Sequence, residues 1–89
     1  MTYRLVISDD VKKQLKKMDK HVGLMLAKEM KKRLDDLSNP RQLGKALTGQ
    51  YKGLWRYRIG NYRIISNIVD DELVIIALEV GHRKQIYKS

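Results

Sequence analysis

The dipeptide Gly60-Asn61 constrains this chain more than any other pair of residues in it. It separates residues 54–59 from residues 62–69, two runs rich in aromatic and β-branched side chains. A two-residue turn that tolerates positive φ joins such runs as a tight antiparallel hairpin in one register. Ile59 then faces Tyr62, Arg58 faces Arg63, and Tyr57 faces Ile64. One face of the hairpin carries Trp55, Tyr57, Ile59, Tyr62 and Ile64 and is predicted to meet the core. The other carries Leu54, Arg56, Arg58, Arg63 and Ile65. Asp70-Asp71 marks a second turn, and residues 72–80 form an apolar run suited to an inner strand.

The first half of the chain has a different period. Residues 2–7 alternate Tyr3, Leu5 and Ile7 with Arg4 and Val6, the pattern of a strand. Ser8 offers an N-cap, and Asp9 and Asp10 suit the positive end of a helix. Val11, Leu15 and Met18 then fall at helical spacing, with Lys12, Lys13, Lys16 and Lys17 facing outward. A second helix is predicted over about residues 19–37, with Val22, Met25, Leu26, Met30, Leu34 and Leu37 as its apolar stripe. Asn39-Pro40 is its expected stop. Residues 41–53 are polar, contain Gly44, Gly49 and Gly53, and read as a long loop. The order β-α-α-β-β-β predicts a small α+β domain: a helical hairpin packed on a mainly antiparallel, four-stranded sheet. With 89 residues, 1–89 forms one domain with one modest core.

Charge narrows the partners. Lys and Arg number 19 against 10 Asp and Glu, a formal net charge of +9. Such an excess on a small body implies an anionic partner, either nucleic acid or an acidic protein. Cysteine is absent, which excludes a disulfide framework and a thiolate metal site. Residues 73–78, the longest apolar run, are too few to cross a membrane. Met1-Thr2-Tyr3-Arg4 opens no signal peptide, so a cytoplasmic location is expected. No His/Asp/Glu cluster has metal-ligand spacing, no phosphate-cradling glycine loop is present, and neither a metal nor a cofactor is expected.

The outward face of the hairpin breaks a local rule. Arg58 directly opposite Arg63, with Arg56 two residues along, places like charges side by side and should weaken the sheet. Such violations cluster where function requires them. Three guanidiniums on one rigid strand pair form a fork for phosphate oxygens, and we favour this over a solvated face on which the side chains splay apart. The segment Gly81-His82-Arg83-Lys84-Gln85-Ile86-Tyr87-Lys88-Ser89 adds further chemistry. His82 beside cations is suited to accept a proton, or it caps and packs the strand end. Tyr87 offers a phenol, or anchors the tail. Lys12, Lys13 and Lys16 read as a solvated helix face or as a grip on RNA; Lys45, Lys52 and Lys84 extend the expected RNA-binding set. Cleaving a phosphodiester needs cations to stabilise the phosphorane, one acid and one base. RNA supplies its own nucleophile, the 2′-OH.

The stretch Leu47-Thr48-Gly49, then Lys52-Gly53-Leu54-Trp55-Arg56-Tyr57-Arg58-Ile59-Gly60-Asn61-Tyr62-Arg63-Ile64-Ile65, followed by Gly81-His82-Arg83 and Tyr87, resembles the RelE/ParE toxin superfamily, and specifically its RelE side. The resemblance covers the whole chain. It implies the RelE-like microbial ribonuclease fold and the toxin of a type II toxin–antitoxin pair. It also implies metal-independent cleavage of mRNA in the ribosomal A site, leaving a 2′,3′-cyclic phosphate and a free 5′-OH. By motif position, Arg63 and Arg83 match the family's phosphate-binding arginines and Tyr87 its catalytic tyrosine. Arg56 and Arg58 stand where the best-known members have lysines. An arginine stays charged, so the base role is expected to fall to His82 or Tyr87, and we take His82 as base, Tyr87 as a supporting or acid group and the arginines as the electrostatic clamp. The implied partners are an acidic RelB-like antitoxin in a hetero-oligomer that binds DNA through the antitoxin, together with mRNA and the ribosome, which Lys45, Lys52, Lys84, Lys12, Lys13 and Lys16 are expected to bind. Two rivals are a ParE-like, non-enzymatic inhibitor of DNA gyrase and an RNA-binding module without activity.

Overall fold

Ser8 starts the helical hairpin as its sequence predicts. In the computed structural model, which describes residues 1–82, the Ser8 hydroxyl accepts a hydrogen bond from the Val11 N–H at 3.2 Å and caps α1 (Asp9–Lys17). Asp9 and Asp10 lie in the first turn and Lys16 and Lys17 in the last, so charge complements the macrodipole at both ends. Asp19 then caps α2 (Lys20–Leu34) by accepting from the His21 N–H. Gly23 sits where the two helices touch: a Cβ there would stand 2.5 Å from the Leu15 carbonyl oxygen, an approach only glycine permits.

Two features of α2 differ from the predicted stripe. Gly23, Leu26, Met30 and Leu34 form its buried line, and this leaves Met25 46% exposed. The helix also stops at Leu34, short of Leu37 and of Asn39-Pro40. Tertiary bonds outcompete the helical ones here. The Asp35 carboxylate accepts from the Leu5 N–H at 2.9 Å, the Asp36 N–H donates to the Tyr3 carbonyl, and Tyr3 N–H donates to the Leu37 carbonyl at 2.7 Å. Asp36 takes a left-handed φ of 65° to make that turn.

The sheet comprises β1 (Arg4–Ile7), β2 (Lys45–Ala46), β3 (Trp55–Ile59), β4 (Tyr62–Val69) and β5 (Val74–His82) in the order β1-β5-β4-β3-β2. Only β1 and β5 pair in parallel. The sheet thus has five strands where four are predicted. The addition is β2, two residues inside the expected loop and too short to show an alternating pattern. The hairpin register is the predicted one, Ile59↔Tyr62, Arg58↔Arg63 and Tyr57↔Ile64, with Gly60 supplying a φ of +59°.

The core fills the space between the sheet and the helices: Tyr57, Ile59, Ile64, Ile75, Ala77 and Val80 meet Val11, Leu26, Met30 and Leu34. Ala77 and Val80 share the inner face although they are three residues apart. A register shift at Ile65/Ser66 explains this: Ile65 pairs with Glu79 and Ser66 with Ala77, so Leu78 is the extra residue of a bulge. The Val80 N–H next to the bulge donates to Gln14 Oε1 of α1 at 2.9 Å. From Glu79 to His82 each residue lies on the face opposite to the one simple alternation assigns it, and Glu79 is thereby placed on the outer face.

Candidate nucleic-acid interface

Register alone defines the outer face, away from the helices. One row runs Lys45, Arg56, Ile65, Glu79 across β2, β3, β4 and β5; the next runs Arg58, Arg63, Gly81. Arg58 is exposed, Arg56 is half-buried, and Arg63 is 7% exposed. Ile65 between them is 1% exposed and forms an apolar floor. A side chain enclosed by its neighbours loses less freedom on binding an anion, and guanidiniums on adjacent strands suit the oxygens of a phosphodiester.

The loop leading to β3 is fastened so that Lys45 joins this face. Tyr57 Oη donates to the Pro40 carbonyl at 2.6 Å, and Trp55 Nε1 donates to the Leu43 carbonyl at 2.7 Å. Burial pushes the Tyr57 phenol up to about 12, so it remains a donor. Gly44, with a φ of +76°, lies flat on β3, where a Cβ would stand 2.2 Å from the Arg56 carbonyl oxygen.

Arg41 adds a third fastening. It grips Asp70 through both nitrogens, at 2.9 and 3.0 Å, and Tyr3 Oη donates to the same carboxylate at 2.6 Å. These hydrogen bonds, that of Arg41 foremost, lower the Asp70 pKa from 3.8 to about 2. A depressed carboxylate stabilises the fold above its unfolded value and ceases to do so as pH falls through its native one. The melting temperature of the wild type should therefore exceed that of Asp70→Asn at neutral pH, with the gap closing between about pH 4 and pH 2. A gap unchanged at pH 2 would show that the cluster acts through something other than charge.

The remaining predicted residues are distributed unevenly. His82 pairs with Tyr62, their rings edge to face at 5.6 Å, and so lies on the core-side face, across the sheet from Arg63. The structure does not bring it to the guanidiniums. Lys12, Lys13 and Lys16 belong to the helical layer, where Lys12 and Lys16 border an apolar groove of about 540 Å³. Lys52 is exposed just ahead of β3. Arg83, Lys84 and Tyr87 lie outside the described residues. Glu79 escaped the sequence reading because the bulge that turns it outward leaves no local signal. Among the described residues, no helix is long and apolar enough to cross a membrane, and no three His, Cys, Asp or Glu gather as a metal site.

A family profile described as "ParE toxin of type II toxin-antitoxin system, parDE" matches residues 5–87. The chain belongs to the RelE/ParE family of type II toxins. Within that family it is similar to toxin RelG of Mycobacterium tuberculosis, 29% identical over 89 residues with 99% of each chain covered. It is also similar to a RelE-like toxin of Escherichia coli, 27% identical over 85 residues, covering 96% of this chain and 87% of the relative. The fold superimposes on the toxin–antitoxin complex RelBE of Mycobacterium tuberculosis with a TM-score of 0.80 at 23% identity, covering 93% of both chains. The two helices on a mostly antiparallel sheet are thus the RelE fold.

Proposed function

We propose that this type II toxin is a metal-independent endoribonuclease that cuts mRNA in the ribosomal A site, with residues 1–89 acting as one toxin domain. The observation that carries the reading is the outward pair Arg58 and Arg63, in register on adjacent strands, with Arg56 and Lys45 in the next row. In this reading the 2′-OH oxygen attacks the adjacent phosphorus, the bond to the 5′ oxygen breaks, and a cyclic phosphate and a 5′-OH result. Arg56, Arg58 and Arg63 hold the non-bridging oxygens as negative charge grows on them. Arg83 and Tyr87 join them by family resemblance, Arg83 on the phosphate and Tyr87 at a proton in flight.

Lys45, Lys52 and Lys84, with Lys12, Lys13 and Lys16 on the helical side, bind the surrounding ribosomal RNA. An acidic RelB-like antitoxin neutralises the toxin in a hetero-oligomer that binds DNA through the antitoxin; the RelBE relative is likewise a toxin–antitoxin complex. The place of action is the cytoplasm, where translation runs.

The test is incubation of the purified protein with ribosomes stalled on a defined mRNA, with breaks mapped by primer extension. Cuts inside the A-site codon are the expected result, and raising the salt should suppress them. Intact mRNA, together with inhibited DNA supercoiling by gyrase, would replace this reading with the ParE-like one.

A further inference from the structure

We propose that Glu79 is the general base of this toxin, accepting the proton of the attacking 2′-OH; the inference rests on the ribonuclease reading above. A guanidinium keeps its protons and cannot take another's, so the arginines stabilise charge but leave the proton without a destination. His82 has the right chemistry but lies on the opposite face of the sheet, against Tyr62. Among the described residues of the outer face, Glu79 is the one acidic side chain.

Its placement is specific. Glu79 flanks Ile65 in the row that contains Arg56, and is diagonal to Arg63, which pairs with Gly81. Diagonal neighbours on adjacent strands stand about 7–8 Å apart, a gap in which a phosphate held by Arg63 leaves its ribose beside the carboxylate. Ile65 closes the floor beneath that gap. The ion pairs among the described residues are Glu29–Arg33 and Asp70–Arg41, and Glu79 takes part in neither. The bulge at Leu78 is what produces this placement. It breaks the ladder between β4 and β5 and draws Gln14 of α1 in to satisfy the Val80 N–H. Bulges are retained beside reaction centres because they re-aim a side chain, and the one re-aimed here is Glu79.

In the balanced step, the 2′ oxygen forms its bond to phosphorus as its proton passes to a Glu79 carboxylate oxygen. The 5′ oxygen leaves with a proton from a separate acid, the position to which family resemblance assigns Tyr87. Single-turnover cleavage on stalled ribosomes, measured across pH, tests the assignment. Glu79→Gln should cut about 100- to 10,000-fold more slowly while binding ribosomes at least as tightly as the wild type. The acid limb of the pH profile should be lost, and Glu79→Asp should recover part of the rate. Circular dichroism checks that both variants fold. A Glu79→Gln protein cutting within threefold of wild type overturns the proposal. So does a His82→Gln protein that loses the acid limb while Glu79→Gln keeps it. A wild type that leaves mRNA whole is a different failure, that of the ribonuclease reading itself.

Discussion

Arg63→Ala should slow A-site cleavage by about 100- to 1,000-fold, the cost of removing one preorganised donor from a developing oxyanion. Arg63 is buried, at 7% exposure, between Arg58 on β3 and Gly81 on β5. In the proposed reaction a side chain so enclosed would reorganise little as charge develops. Arg63→Lys keeps the charge but not the two-pronged geometry, and should recover only part of the rate. Stability should move far less than activity, because the substitution also removes one of two cations facing each other across the hairpin. Thermal unfolding run beside the cleavage assay separates the two effects. A variant that melts early and cuts at the normal rate would recast Arg63 as a structural residue.

Ile64→Ala, one position along the same strand, should have the opposite profile. Ile64 is completely buried in the core that joins the sheet to Leu26 and Met30. Truncating such a side chain costs about 2–5 kcal/mol, the transfer term plus the cavity it leaves. A domain of this size is stable by about 4–13 kcal/mol in total, so the change removes a large share. Urea titration should show a lower midpoint with an unaltered slope. A loss below about 1 kcal/mol would mean that the helices collapse onto the gap.

The contrast between adjacent residues reflects what can be read without coordinates. Gly60-Asn61 determines a register, and that register puts Arg63 outside and Ile64 inside before any packing is known. Ser8, Asp9 and Asp10 mark the start of α1 for equally local reasons. Tertiary competition erased other signals. Asp35 and Asp36 bond to the first strand rather than extending α2, and no feature of the helix itself announces that end. The two residues of β2 are a strand only because Gly44 lets the loop lie against β3. The face of Glu79 is hidden in the same way. Strict alternation from Ile75 through Ala77 would bury it in the core, and the single extra residue Leu78 reverses that assignment.

The parallel pairing of β1 with β5 also dictates an order of events. Arg4 finds its partner in Val74, 70 residues later, so the first strand waits, unpaired on one edge, until β5 has been made. The hairpins β3–β4 and β4–β5 close locally, but the middle of the sheet gains its last neighbour only when β5 has been delivered. The arginine-bearing hairpin β3–β4 therefore pairs locally, while the edge that β1 supplies is completed last.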